Sequence, residues 1–288
     1  MKRIILMFAA LLLCLSLCSC ESLLNSAREL VTGQEASKPP KDYIASFEEE
    51  PFSYDLYEEY IVLTKYNGTD EYVTIPSEID GVPVTHIGEL CFNDTEAKVV
   101  SVNIPDSITT IEEDAFYYAD SLTSITIPDS VTSIGIRAFA WCNSLENVQF
   151  GKGVTEIPDF CFNHCAALKT MVLPDWITSV GARAFSYCEN LNEFTVHKNI
   201  ATVHSMAFLE CAALQYVVFE TDDLELGSEV FGKCPELAVI AAENSSVMSY
   251  CRDNGLRWAP SKDVDAVILE KTEDDSSDAS AESENNEQ

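Results

Sequence analysis

Positive charge is scarce in this 288-residue chain: 17 Lys and Arg stand against 48 Asp and Glu, for a formal net charge of −31. Such a field repels phosphate backbones, so nucleic acid is excluded as a partner. Apolar runs are short as well. Ile4–Leu17, about 14 residues, falls below the roughly 20 that a membrane-crossing helix needs. Signatures of catalysis are missing: there is no Gly-rich phosphate loop, no HExxH and no GxSxG. The four histidines (His86, His164, His197, His204) have no nucleophile or carboxylate partner in sequence. The chain therefore reads as non-catalytic, with no cofactor and no metal. A hydrolase built on an unrecognised acidic site is the remote alternative.

What is present begins with Lys2 and Arg3 ahead of the Ile4–Leu17 run, the pattern of an export signal. Leu17-Cys18-Ser19-Cys20 follows and resembles a bacterial lipobox. That resemblance implies a signal peptide over 1–19, lipid attachment at Cys20 and anchoring of an exported protein to a membrane. Residues 20–50 are polar, with Pro39 and Pro40, and read as a flexible tether. At the other end, 260–288 turns to Asp, Glu, Ser and Asn and reads as an acidic disordered tail.

The middle, 51–259, repeats. Phe116, Phe139, Phe162, Phe185, Phe208 and Phe231 recur every 23 residues, as do Leu122, Leu145, Leu168, Leu191, Leu214 and Leu237. Phe92 starts the series one residue out of step. Each period closes on an i, i+2 apolar pair such as Ile125 and Ile127, the spacing of a strand with one buried face. Pro105, Pro128 and Pro174 end the strand. The steps from Ile134 to Ala138, Phe139 and Cys142 then suit a helical turn or two. One period cannot bury its own apolar face, whereas stacked copies can. The expectation is a mainly β repeat solenoid of about seven 23-residue rungs, each a parallel strand plus a short helical turn. Strands around Phe52–Tyr66 would cap the N-terminal end, and a short helix over 245–254 the other.

The run Ile127-Pro128-Asp129-Ser130-Val131, with Ile134, Ala138-Phe139, Cys142, Leu145 and Val148, resembles the BspA-like leucine-rich-repeat family of bacterial surface proteins. Tyr72–Gly88 is similar to that family's first repeat, and Asn244–Trp258 to its closing cap. The resemblance covers about residues 52–259. It implies a leucine-rich-repeat array and a cell-surface role in adhesion or interaction, and it names no ligand. Gly151, His197 and Glu220 stand where the pattern has proline, and Ala119 where it has the first ladder cysteine.

Cys142, Cys165, Cys188, Cys211 and Cys234 run in phase with the phenylalanines. Disulfides suit an exported chain. Side chains of one column point the same way, however, which disfavours the dihedral a bridge requires. Free buried thiols are the expectation. A metal site could be drawn from Cys161, His164 and Cys165, but both cysteines fall in core columns.

Between the Phe and Cys columns lies an exposed one: Tyr118, Trp141, His164, Tyr187, Glu210, Lys233. Its rings are candidates for partner binding; alternatively they shield the core edge or stack on one another. The strand's outward face offers two further columns. One is Thr126, Gln149, Val172, Thr195, Val218 and Ala241; the other is Ser124, Asn147, Thr170, Glu193, Tyr216 and Val239. They grow more apolar toward Tyr216 and Val218, a second candidate. Trp176, expected in an exposed loop, is a third. The reading is a non-catalytic cell-surface lipoprotein that binds a protein or glycan through its repeat face. The alternative is a structural or envelope-assembly lipoprotein that docks a partner from its own cell.

Overall fold

The structure is a computed structural model and describes residues 42–93, 97–222 and 224–261. The chain divides between Tyr43 and Ile44 into two units, and all but the first two described residues lie in the second. The expected signal peptide, Cys20 and most of the expected tether and acidic tail fall outside the described residues.

The body opens with β1 (Tyr43–Phe47), β2 (Phe52–Tyr57), β3 (Ile61–Tyr66), β4 (Tyr72–Thr74), β5 (Glu78–Ile79) and β6 (Val82–Ile87). A regular alternation follows: β7 (Ser101–Asn103), β8 (Thr110–Ile111), β9 (Ser124–Thr126), β10 (Ser133–Ile134), β11 (Asn147–Gln149) and β12 (Glu156–Ile157). It continues through β13 (Thr170–Met171), β14 (Ser179–Val180), β15 (Glu193–Val196), β16 (Thr202–Val203), β17 (Tyr216–Phe219), β18 (Glu225–Leu226) and β19 (Ala238–Ala241). Helix α1 (Ser246–Asp253) and β20 (Arg257–Pro260) complete it.

Successive periods stack in parallel register, with Ser124 beside Asn147 and Glu193 beside Tyr216, to build two walls. One wall comprises β11-β9-β7-β4 and β13-β15-β17-β19-β20; the other runs through β6-β8-β10 and β12-β14-β16-β18. Nine strands in the first wall give the solenoid about nine turns, since the cap segments add turns to the seven of the 23-residue repeat. Both walls are interrupted where Gly151-Lys152-Gly153 replaces the Pro-Asp-Ser turn. There the backbones nearly touch. A Cβ on Gly151 would lie 2.3 Å from Pro128, and one on Gly153 2.2 Å from the Val131 carbonyl oxygen, so only glycine fits.

The segment expected as a helical turn is a succession of tight turns with two left-handed residues per rung. Asp114, Arg137, Phe160, Arg183, Met206 and Glu229 form one such column, and Tyr118, Trp141, His164, Tyr187, Glu210 and Lys233 the other, all with φ between 51° and 63°. Bulky residues in this region cost roughly 1–2 kcal/mol each. The compensation is a ladder that a helix could not make. Asp114, Phe116 and Tyr118 donate their N–H groups to the carbonyls of Ile136, Ala138 and Ala140 on the next rung, at 3.0, 2.8 and 3.1 Å. Every second N–H in this segment is directed along the solenoid axis, while those of Ala115, Tyr117 and Ala119 bond within the rung, and each rung is thereby bonded to its neighbour.

Inside, the phenylalanines stack face to face. Centroid spacings from Phe92 to Phe116 and on to Phe231 run from 4.7 to 5.5 Å, with planes within 17°. The N-terminal cap prolongs the stack through Tyr66, 5.6 Å from Phe92. The ladder cysteines lie beside it as free, buried thiols. Each thiol donates to a phenylalanine carbonyl from the preceding rung: Cys142 to Phe116, Cys165 to Phe139, Cys188 to Phe162, Cys211 to Phe185 and Cys234 to Phe208, at 3.1–3.2 Å. Burial pushes the Cys188 thiol up to about 12 and that of Cys234 to about 11.

At the C-terminal end, Ser245 caps α1 by accepting the Met248 N–H at 3.2 Å. The helix buries Val247, Met248 and Cys251, and its Tyr250 hydroxyl accepts the Val230 N–H at 2.9 Å. At the other end β1 corrects an expectation, because Tyr43–Phe47 lie within the stretch read as tether. They form an edge strand on β2, with Phe47 stacked 4.9 Å from Tyr54.

Candidate functional site

Two surfaces carry the candidate residues. On the turn side, the left-handed backbone aims one side chain per rung outward at the spacing of the rungs. The structure brings the four rings together as a single stack. Tyr118 and Trp141 lie 5.1 Å apart, Trp141 and His164 3.8 Å, and His164 and Tyr187 4.3 Å, with planes within 18°. The column then changes to polar contacts. The Tyr187 hydroxyl donates to Glu210 at 3.3 Å, and Glu210 pairs with Lys233. Burial among the rings lowers the His164 pKa, against the opposing pull of Glu189 and Glu210. The ion pair with Lys233 holds the Glu210 carboxyl below its usual range and raises the ammonium.

The consequence for binding is geometric. Each inner ring presents its faces to its neighbours and only its edge to solvent. Tyr118, at the end of the stack, is the most open at 42% exposure. Beside it Arg137 is likewise engaged along the axis, bound bidentate to the buried Asp114 at 2.7 and 2.8 Å and to Glu113 at 2.7 Å.

The strand side differs. The outward residues of the first wall form two columns whose register the strand pairs define. Tyr72, Ser101, Ser124 and Asn147 lie side by side, and Thr74, Asn103, Thr126 and Gln149 run parallel to them. Thr126 donates weakly to Gln149 at 3.5 Å. Among the described residues, the side chains of Thr74, Ser101, Asn103, Ser124 and Asn147 make no hydrogen bond to the protein. A shallow recess of about 190 Å³ is lined by Ser101, Asn103, Ser124, Thr126 and Pro128. Further along, Val172 is 80% exposed and Tyr216 donates to Glu193 at 2.9 Å, with Val218 half-buried beside Thr195.

Two expectations are corrected here. The last rung is one residue shorter, pairing Val217 with Val239, so Val239 and Ala241 turn into the core and do not continue the outward columns. Trp176 is half-buried, packed against the core with its Nε1 donating to the Gly151 carbonyl at 3.0 Å. The glycine that opens this turn lets the indole of the next rung close over it. Of the metal candidates, Cys161 and Cys165 are buried while His164 stands in the ring stack. Among the described residues, no group of three His, Cys, Asp or Glu is placed to hold a metal ion. Nor is any helix among them long and apolar enough to cross a membrane.

Tyr72, Ser101 and Asn103 escaped the sequence reading. Ser101 and Asn103 stand one 23-residue period before Ser124 and Thr126 and needed only an extension of the columns by one rung, whereas the 29-residue step from Tyr72 to Ser101 takes Tyr72 out of the period. Pro76 and Pro105, each closing its strand, are the signal that would have aligned them.

The family profile described as "BspA type Leucine rich repeat region" matches residues 70–122 and 109–238 in six copies. A leucine-rich repeat protein from Eubacterium ventriosum is 26% identical, with a TM-score of 0.57 over 67% of this chain and 50% of that one. A leucine rich cell surface protein from Faecalibacterium prausnitzii is 23% identical, with a TM-score of 0.41 over 69% of this chain and 77% of its own. The T. pallidum leucine-rich repeat protein is also 23% identical, with a TM-score of 0.46 over 75% and 98%. No curated protein matches the sequence.

Proposed function

This chain belongs to the BspA-type leucine-rich repeat family, and from that premise we propose that it is a non-catalytic interaction module, exported and lipid-anchored through Cys20, that binds a macromolecular partner on the strand face of its solenoid. The observation that carries the reading is the contrast between the two surfaces. Ring faces and charges on the turn side are largely engaged with one another along the axis. On the strand side, hydroxyl and amide groups from four successive rungs point outward with almost no partner in the protein. Groups left open at fixed spacing favour a ligand that lies along them. The membrane anchor rests on the residues around Cys20 alone.

The test is capture of a partner from arrays of glycans and surface-matrix proteins by purified protein, with one variant for each surface. Thr126→Arg/Asn147→Arg obstructs the strand face, and Trp141→Ala/Tyr187→Ala opens the ring stack. Loss of binding in the first variant alone is the expected result. Loss only in the second transfers the site to Tyr118, Trp141, His164 and Tyr187, and no capture at all removes the module reading.

A further inference from the structure

Resting on that reading, we infer that the N-terminal half of the strand face, from Tyr72 to Gln149, is a binding strip for a neutral oligosaccharide. In a chain of net charge −31, the eight outward residues of this strip (Tyr72, Thr74, Ser101, Asn103, Ser124, Thr126, Asn147, Gln149) include no formal charge. The first charge met along the columns is Glu193. A phosphate, sulfate or carboxylate would find no cation to pair with here and would meet the repulsion of the whole molecule. A cationic ligand would be held better by the carboxylates elsewhere. What this strip can recognise is a partner whose own surface is uncharged and rich in hydroxyls.

The geometry agrees. Rungs lie about 4.8 Å apart and alternate strand residues about 7 Å apart, so the side chains form a grid about 14 Å long and 7 Å wide. Each grid point both donates and accepts, apart from the weak Thr126–Gln149 contact that uses one donor. Hydroxyls on successive sugar rings present the same mixed capacity at short, regular intervals. A folded protein partner would need anchors and pockets for side chains. The recess lined by Ser101, Asn103, Ser124 and Thr126 is shallow, and its volume lies below the usual range of ligand pockets. The one aromatic group stands at the end of the strip. Tyr72 is 72% exposed and has no ring contact among the described residues, which leaves a ring face for the apolar side of a sugar. In the turn-side stack, by contrast, the inner rings Trp141 and His164 have both faces covered.

The experiment is calorimetric titration of the full mature chain with tetra- and hexasaccharides of glucose, mannose and N-acetylglucosamine. A sulfated hexasaccharide serves as the charged counter-probe. A neutral hexasaccharide is expected to bind with Kd on the order of 0.1–1 mM, since an open face leaves much of the ligand solvated. Raising the salt concentration tenfold should change that Kd by less than about twofold. Tyr72→Ala and Asn147→Ala should each weaken binding about tenfold, with Lys233→Ala on the turn side unchanged and all three variants folded. Preference for the sulfated probe, or neutral binding indifferent to Tyr72 and Asn147, overturns the assignment. If no neutral sugar binds while a protein partner is lost from the Thr126→Arg/Asn147→Arg variant, the oligosaccharide fails and the strand-face module stands. If neither class binds, both fail.

Discussion

The His164 imidazole lies flat on the Trp141 indole, ring centroids 3.8 Å apart and planes 11° apart. Tyr187 covers its other face at 4.3 Å. A cation placed between these rings loses water, and burial accordingly lowers the imidazole pKa, with Glu189 and Glu210 opposing. A pKa lower in the folded than in the unfolded chain means that the unfolded state binds the proton more tightly. The associated stability is present above the unfolded value of about 6.5 and is lost as pH falls through the folded value. Between pH 8 and pH 5 the melting temperature of the wild type should therefore fall further than that of His164→Gln. Parallel curves for the two proteins would show that the stack is indifferent to the charge.

The phenylalanine ladder should govern cooperativity. Phe162 is fully buried between Phe139 and Phe185, each 5.5 Å away. Phe162→Ala should cost about 3–5 kcal/mol in denaturant unfolding. Because each rung is bonded chiefly to its neighbours, loss at the centre should also split the transition into two. A single transition shifted by less than about 1 kcal/mol would contradict this.

The ladder thiols should be inert in the folded protein. Cys188, raised to about 12, carries almost no thiolate at pH 8, and its proton is committed to the Phe162 carbonyl. Peptide mapping after iodoacetamide treatment should find Cys142, Cys165, Cys188, Cys211 and Cys234 unmodified in the native state and fully modified in denaturant. Label on any of them under native conditions would show that the rungs open.

Left-handed backbone at bulky residues predicts an unusual ranking of substitutions. Glu229 is exposed with φ 51°. Glu229→Gly should melt above Glu229→Ala, corresponding to about 1 kcal/mol in favour of glycine, although glycine is ordinarily the less stable of the two. The reverse order would mean that the interrung ladder holds this geometry without strain.

The proposed lipid anchor makes Cys20 its attachment site. Cys20→Ala should abolish incorporation of labelled fatty acid and release the protein from the membrane fraction. Retention of label would reassign the attachment site.

The 23-residue recurrence of Phe and Leu determined by itself that this is a stacked repeat, because an apolar pattern repeated without a partner face can be buried only against copies of itself. From it followed the core columns, the caps and the in-phase cysteines. Composition was equally decisive about charge. What tertiary structure decided was everything that depends on the path of the backbone between the repeated positions. Periodicity cannot distinguish a helical turn from turns with left-handed residues at Asp114 and Tyr118, since the apolar spacing is the same and only the direction of the N–H groups differs. Nor could it show that Val239 faces inward, because one deleted residue reverses every side chain in a strand. The strand-face grid was largely legible. Ser101, Asn103, Ser124, Thr126, Asn147 and Gln149 all fall in the period, whereas Tyr72 and Thr74 joined them only when backbone pairing absorbed the irregular 29-residue step. Strands are aligned by hydrogen bonds between neighbours in space, and those bonds tolerate insertions in the connecting turns that a count of residues does not.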